Sequence, residues 1–268
     1  MPKILDGKII RNEIIVKLKK EIEGFETKPT LAIIQIGDLA ESNKYIKAKK
    51  TFAEKIGAEV RHVQFAETVL QDEVIVEIQR LNQDESVQGI ILQLPIPKNL
   101  NSLEIIEMID PEKDVDGLTL LTKFTPATAR GVMALLDYYQ IDVVDKKVTV
   151  MGRSKLVGGP IAKLLVSRGA IVSVVHHLTE NPKEITKTAD ILIVAIGKPH
   201  LIDETYIKEG QVVVDVGITM EDDQMFGDVN FEKVKDIVSA ISPVPGGVGP
   251  LTVASLFLNL VAAHKNMV

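Results

Sequence analysis

Short apolar runs alternate with stretches of helical period along almost all of this chain, and that alternation narrows its folding options most. In the first half, T-L-A-I-I-Q-I-G (Thr30–Gly37), V-R-H-V-Q-F (Val60–Phe65) and G-I-I-L-Q-L-P (Gly89–Pro95) read as strands. Helices fit between them over Lys8–Glu23, from Ser42 to a stop at Gly57, and over Gln71–Asn82. Strands that alternate with helices build parallel sheets covered on their faces. A second strand series runs through Lys147–Gly152, Ile171–His176, Asp190–Gly197 and Gln211–Gly217. M-E-D-D-Q-M-F (Met220–Phe226) then reads as a hairpin tip, I-V-S-A-I-S as a last strand, and Leu251 to Lys265 as a terminal helix. Between the two series, Pro111–Ala127 is irregular, and a helix follows it with Thr128 as its N-cap. The expectation is two α/β units with a boundary between Pro126 and Lys147.

The chain has 268 residues, enough for two such units, with 46% apolar and 25% charged residues. It has no cysteine, which excludes disulfides, thiolate metal sites and cysteine nucleophiles. Five scattered histidines without an H-E-x-x-H spacing argue against a zinc hydrolase, and no metal is expected. A net charge of −6 argues against nucleic acid as a partner. The N-terminus lacks a signal-peptide hydrophobic region and no apolar run reaches membrane-spanning length, so the reading is a soluble, cytoplasmic protein.

S-N-K-Y-I-K-A-K-K (Ser42–Lys50) carries the sharpest chemical signal. At about 100° per residue, Phe52, Tyr45, Ile56, Ala53 and Ile46 share one face of the helix. Lys44, Lys47, Lys50, Glu54 and Lys55 occupy the other, as a solvated face. Lys49 falls inside the apolar stripe, one turn after Tyr45. An ammonium there must snorkel, meet an anion, or be held for chemistry.

The second unit opens with V-T-V-M-G-R-S-K-L-V-G-G-P, a strand, a glycine turn and a helix start. That arrangement sets backbone N–H groups and a helix dipole against a phosphate. It is neither G-x-G-x-x-G nor a P-loop. Polar or glycine strand ends at His176–His177, Gly197 and Gly217 would converge beside it in a doubly wound sheet. The second strand has no acid at its end for a ribose 2′-hydroxyl, whereas Arg153 in the turn suits a 2′-phosphate. NADP is therefore favoured as cofactor, with NAD as the alternative; His177 either assists or is a solvated strand-end residue.

In order, the chain contains Y-I-K-A-K, L-Q-L-P-I-P, K-D-V-D-G-L, G-R-S-K-L-V-G-G-P, A-D-I-L-I-V-A-I-G-K-P, V-D-V-G-I, G-D-V and P-V-P-G-G-V-G-P-L-T-V-A. Together these resemble the bifunctional methylenetetrahydrofolate dehydrogenase/methenyltetrahydrofolate cyclohydrolase family over nearly the whole length. The resemblance implies oxidation of 5,10-methylenetetrahydrofolate with NADP, then hydrolysis to 10-formyltetrahydrofolate. It makes Lys49 the catalytic lysine, Tyr45 its neighbour over the pterin, Gln93 a polar partner of the lysine, and Asp116 the carboxylate that binds the pterin ring. It puts Gly152, Arg153, Ser154, His177 and Ile218 on cofactor positions. Thr128 and the Pro245, Gly246, Gly249 loop fall near the nicotinamide and folate. It also implies a homodimer, and a terminal helix that returns to the first domain: residues 1–126 with 250–268 for folate, and 127–249 as a Rossmann-type NAD(P)-binding domain.

The chemistry agrees with that assignment. Hydride loss leaves a delocalised cation, which a charged lysine would oppose. A desolvated lysine of lowered pKa can be neutral and accept a proton from attacking water. Tyr45 can hydrogen-bond the amine, Gln93 can hold it without adding charge, and Asp116 can take two N–H donors from an aminopterin edge. The sequence departs from the family pattern at P-A-T-A (Pro126–Ala129) for P-C-T-P, Lys155 for asparagine, His177–Leu178 for Ser-Arg or Ser-Lys, and Thr219 for asparagine. Competing expectations are an NAD-linked member with weak cyclohydrolase activity, a two-domain dehydrogenase of another small acid, and a non-enzymatic nucleotide-binding module. The last has no need of Lys49.

Overall fold

A computed structural model describes residues 2–221 and 224–267. In chain order the elements begin β1 (Lys3–Ile4), α1 (Gly7–Ile22), β2 (Thr30–Ile36), α2 (Ala40–Ile56), β3 (Glu59–Phe65), α3 (Gln71–Gln83), β4 (Gly89–Leu92) and α4 (Ser102–Glu107). They continue with α5 (Ala127–Tyr138), β5 (Lys147–Met151), α6 (Gly158–Ser167), β6 (Ile171–Val175), α7 (Pro182–Thr188), β7 (Ile191–Val194) and β8 (Val212–Asp215). The remainder are β9 (Thr219–Glu221), β10 (Gln224–Phe226), α8 (Phe231–Val234), β11 (Ala240–Ile241) and α9 (Val248–Met267). The chain divides into two compact units, Glu13–Ala127 with Val253–Val268, and Met1–Asn12 with Thr128–Thr252.

The first unit is built on a parallel sheet of order β3-β2-β4. All seven residues of β2 are buried, polar Thr30 and Gln35 with the five apolar ones, as a central strand covered on both faces requires. Glycine ends α2: Gly57 adopts φ 83°, and its N–H returns to the Ala53 carbonyl. Strand β4 stops at Leu92, short of the expected Pro95. The Gln93 N–H still reaches the Ile34 carbonyl (2.8 Å), but Pro95 has no N–H with which to extend the ladder. The terminal helix α9 supplies Ala254, Leu256, Phe257, Leu260 and Ala263 to this unit's core, and Phe257 stacks on Phe52 at 4.9 Å. By length and composition α9 could cross a membrane, contrary to the sequence expectation; its apolar window is 61% buried within the protein, so that character belongs to the core.

The second unit has a six-stranded, wholly parallel sheet, β1-β11-β8-β7-β5-β6. Met151 pairs with Val175 and with Val194, and Val194 with Asp215, so four strands end at one level, as expected of a doubly wound sheet. The two-residue strands β1 and β11 are too short to leave a periodic signal, and only β11 fell inside an expected strand. Strands β9 and β10 pair antiparallel, and the turn expected between them, residues 222–223, lies outside the described residues. Thr128 is not an N-cap. Helix α5 starts at Ala127, so Thr128 lies inside it, and the Asp116 carbonyl takes the Ala127 N–H at 3.0 Å.

Candidate active site

Helix α2 buries Ser42, Ile46, Phe52, Ala53 and Ile56 and carries Lys49 at the edge of that face, half-buried. The Lys49 Nζ donates to Gln93 Oε1 at 2.7 Å. Burial pulls the Lys49 pKa below the ordinary lysine range, while the nearby Asp116 charge opposes the shift. Tyr45 is half-buried one turn earlier, and its hydroxyl is pushed up to about 12, first by burial and then by Glu41. Among the described residues the expected Tyr45 hydrogen bond to the amine is not made; the amine's partner is Gln93, leaving β4. Lys50 also departs from expectation: it leaves the solvated face and its Nζ meets His62 Nδ1 at 3.1 Å.

Asp116 sits in the irregular segment after α4. Two acids there, two residues apart, have opposite roles. Asp114 is buried and satisfied, accepting the Gly117 N–H at 3.0 Å and the Thr119 N–H at 2.7 Å. The Asp116 carboxylate accepts no hydrogen bond from the described residues. Its pKa is pushed up to about 6 by burial, against the pull of Lys49 and with a further rise from Asp114. Gly117 at φ +75° makes the turn, where a Cβ would come within 2.7 Å of the Pro126 backbone. Asn259 of α9 fixes the segment by donating Nδ2–H to the Val115 and Thr125 carbonyls, both at 2.9 Å. Lys113 is equally structural, its ammonium capping the Leu81 and Asp84 carbonyls at 3.0 and 2.8 Å. Neither Asn259 nor Lys113 stands out in the sequence; an amide inside the apolar run L-F-L-N-L-V-A-A was the available clue to the first.

In the second unit the glycine turn follows β5 at φ +117°, and a Cβ on Gly152 would lie 2.0 Å from the Ala195 carbonyl oxygen. A Cβ on Gly158, at the start of α6, would lie 2.1 Å from the Gly152 oxygen, so backbone packs against backbone here. The Ser154 hydroxyl oxygen accepts the Val157 and Gly158 N–H groups at 3.1 and 3.4 Å. Arg153 Nη1 approaches His176 Nε2 at 3.4 Å, so the ring next to the guanidinium is His176 rather than His177. The Leu178 N–H donates to His176 Nδ1 at 3.2 Å, which assigns the ring proton of neutral His176 to Nε2 and leaves two donors facing each other. His177 is exposed, its ring 5.9 Å from that of His176.

Ile218 and Gly249 come together: a Cβ on Gly249 would meet Ile218 Cδ1 at 3.4 Å. Gly246, at φ +121°, accepts the Gly7 N–H on its carbonyl at 2.9 Å, and Pro245 before it is exposed. Thr128 is half-exposed at the start of α5. Beneath these loops lies a carboxylate pair that the motifs V-D-V-G-I and G-D-V contained but to which no role was assigned. Asp228 accepts the Ile196, Gly197 and Lys198 N–H groups at 2.6, 2.9 and 2.7 Å. Asp215 accepts those of Gly217, Asp228 and Val229 at 3.0, 3.2 and 2.9 Å. Gly217 and Gly227 are glycine because a Cβ would strike the Asp228 and Asp215 carboxylates at 2.1 and 2.0 Å. Among the described residues no cluster of side chains could hold a metal ion.

Comparison with known proteins agrees over the whole length. Residues 5–116 match the tetrahydrofolate dehydrogenase/cyclohydrolase catalytic-domain family, and residues 126–268 match the corresponding NAD(P)-binding-domain family. The chain is 43% identical over 279 residues to a bifunctional protein FolD of Aquifex aeolicus, covering 99% of this chain and 96% of the relative. It superimposes on the crystal structure of the bifunctional FolD methylenetetrahydrofolate dehydrogenase/cyclohydrolase of Campylobacter jejuni with a TM-score of 0.96 at 38% identity, covering 100% of each chain. The Trypanosoma brucei enzyme, solved with NADP cofactor and inhibitor, matches with a TM-score of 0.93 at 31% identity, covering 99% of each chain.

Proposed function

Because this chain belongs to the tetrahydrofolate dehydrogenase/cyclohydrolase family, we propose that Lys49, Gln93 and Asp116 are the working groups of its two reactions. The enzyme oxidises 5,10-methylenetetrahydrofolate to 5,10-methenyltetrahydrofolate with NADP, and hydrolyses the product to 10-formyltetrahydrofolate. The observation that carries the role of these residues is a lysine of depressed pKa, held 2.7 Å from a neutral amide, beside a carboxylate with uncommitted oxygens.

Each residue has a defined task. Asp116 presents its oxygens to the N–H donors of the aminopterin edge, a paired contact that orients the ring. Burial makes the neutral amine of Lys49 accessible, so no fixed positive charge opposes formation of the methenyl cation. Gln93 accepts one N–H of that amine, which leaves the nitrogen lone pair for a proton of the attacking water. The water oxygen bonds to the methenyl carbon as one water proton passes to Lys49 Nζ and the C=N π electrons return to nitrogen, which discharges the cation. The carbinolamine then breaks its bond to N5, which takes up a proton as the remaining hydroxyl loses one and becomes the formyl carbonyl. Tyr45, with a phenol that stays protonated to about 12, offers a neutral ring for the pterin to lie against.

The glycine turn fits a dinucleotide: Gly152 and Gly158 bring bare backbone together where any Cβ would collide, and α6 begins there. NADP, when bound, supplies the hydride acceptor. Around it we assign Gly152 and Ser154 to the phosphates, Arg153 with His177 to the 2′-phosphate, and Ile218, Thr128 and the Pro245–Gly246–Gly249 loop to the nicotinamide and folate. We also assign a homodimer in the cytoplasm, formed through β6. This strand has a sheet neighbour on one side only, among the described residues, and Ile171 and Val174 are 57% and 41% exposed along it. Light scattering of wild type and Val174→Lys tests the pairing; two monomeric proteins would sink it.

The test of function is to supply methylenetetrahydrofolate with NADP and with NAD, and to follow formation and loss of the methenyl product. NADP-dependent turnover through both steps is expected. Turnover with NAD and little hydrolysis would point to an NAD-linked enzyme, and no turnover with either would end the reading.

A further inference from the structure

Adjacent lysines on α2 are held by different partners. Lys49 reaches Gln93, whose own N–H is tied to the Ile34 carbonyl of β2. Lys50 enters a chain of side chains that ends on a carboxylate. Its Nζ lies 3.1 Å from His62 Nδ1, and His62 Nε2 lies 2.8 Å from Gln35 Oε1. Gln35 Nε2 donates to Asn43 Oδ1 at 2.8 Å, and Asn43 Nδ2 donates to Asp38 Oδ1 at 2.8 Å.

The donors in this chain can run only one way. An ammonium donates and does not accept, so His62 Nδ1 carries a lone pair and the ring proton is on Nε2. That proton goes to the Gln35 oxygen, the Gln35 amide N–H to Asn43, and the Asn43 amide N–H to the Asp38 carboxylate. Gln35 is 1% exposed, so the middle of the relay cannot exchange its partners for water cheaply. Asn43 and Lys50 stand seven residues apart, on one face of α2 to within about 20°. The relay therefore grips the helix at two points along one line, and the next residue round from the second grip is Lys49.

We propose that the Lys50–His62–Gln35–Asn43–Asp38 relay is a positioning device that sets the roll of α2 and so the aim of Lys49, and that protonation of His62 releases it. The proposal rests on the reading above that Lys49 is the proton acceptor in hydrolysis. A second proton on His62 would set Nδ1–H against the Lys50 ammonium. Among the described residues, Lys50 of α2 is the charged group facing the ring; Gln35 of β2 is neutral. Along β3, Arg61 turns to Asp84, and Gln64 turns to the Gly37 carbonyl. Burial and Lys50 together hold the His62 pKa below the ordinary histidine range, so the relay is intact at neutral pH.

Two measurements decide it. Imidazole nitrogen NMR of the full chain should show the Nε2–H form of His62, and Lys50→Met should raise its titration midpoint; a His62 in the Nδ1–H form overturns the relay. Methenyltetrahydrofolate hydrolysis is then followed between pH 5 and 8 for wild type, His62→Gln and His62→Leu. Glutamine keeps one acceptor and one donor but does not titrate. Its rate should match wild type at neutral pH and exceed it by a factor approaching about tenfold per pH unit below the His62 midpoint. His62→Leu should be slower than His62→Gln at every pH, and slower than wild type at neutral pH. If His62→Gln falls with acid as wild type does, the positioning role is refuted. An inactive wild type would instead refute the role of Lys49, and the NMR result would then decide the relay by itself.

Discussion

Replacing Asn259 by leucine removes two hydrogen-bond donors from α9 with little change in bulk. The Val115 carbonyl loses a partner at 2.9 Å in a fully buried setting, and the Thr125 carbonyl loses one at 2.9 Å that is only partly buried. An orphaned buried carbonyl costs about 1–3 kcal/mol, so about 2–3 for Val115 and about 1 for Thr125 gives a destabilisation of about 3–4 kcal/mol. The same loss loosens the segment that carries Asp116. Misplacement of a positioning group by about 1 Å costs up to about 100-fold, so a tenfold rise in the folate KM is a moderate expectation. Urea unfolding followed by circular dichroism gives the stability term, and steady-state rates give the KM. NADP affinity, set in the other unit, should stay within about twofold, since distant sites act independently. Asn259→Asp should be worse than leucine, because its carboxylate would confront two carbonyl oxygens. A leucine variant within about 0.5 kcal/mol of wild type, with an unchanged KM, would refute the idea that α9 holds the Asp116 segment.

Other consequences are as direct. Asp228→Asn leaves at least one of the three N–H groups of Ile196, Gly197 and Lys198 facing an amide N–H, at 0% exposure. It should cost about 2–4 kcal/mol in urea, and a neutral outcome would show that the carboxylate does not hold that loop. Asp116 has its pKa raised to about 6, so the form that accepts N–H donors is lost as pH falls through that value. The folate KM should accordingly rise below about pH 6, and Asp116→Asn should have a high KM with no such dependence; a flat wild-type profile contradicts the assignment. Arg153→Ala should weaken NADP by about tenfold, or about 1.4 kcal/mol, and leave NAD nearly unaffected. Equal losses for both cofactors would remove Arg153 from the 2′-phosphate.

The features visible in the sequence were those that repeat or punctuate. The largely apolar β2, the stop at Gly57 and the level strand ends of the second sheet follow from period, glycine and length. Lys49 stood out because a charge in an apolar stripe breaks a pattern. Partner identity has no such mark. That Lys50 turns to His62, or that Arg153 meets His176 rather than its neighbour, depends on which strand lies alongside, and neither residue type nor spacing encodes it. The two acids of K-D-V-D-G look alike in sequence. Only the fold shows that Asp114 is consumed by backbone N–H groups while Asp116 keeps its oxygens uncommitted. Asp215 and Asp228 were present in quoted motifs, yet their role depends on the absence of a Cβ at Gly217 and Gly227, which a single sequence does not explain.

The most direct test of the account is single-turnover hydrolysis of methenyltetrahydrofolate by wild type and Lys49→Met, with folate binding measured on both. Methionine keeps the length of the side chain and removes the lone pair that takes the proton. If Lys49 is the acceptor, hydrolysis falls by about 100- to 10,000-fold, the usual contribution of a positioned base, while folate still binds. If Lys49→Met hydrolyses the substrate within about tenfold of wild type, the amine beside Gln93 is not the group that accepts the proton, and the central claim fails.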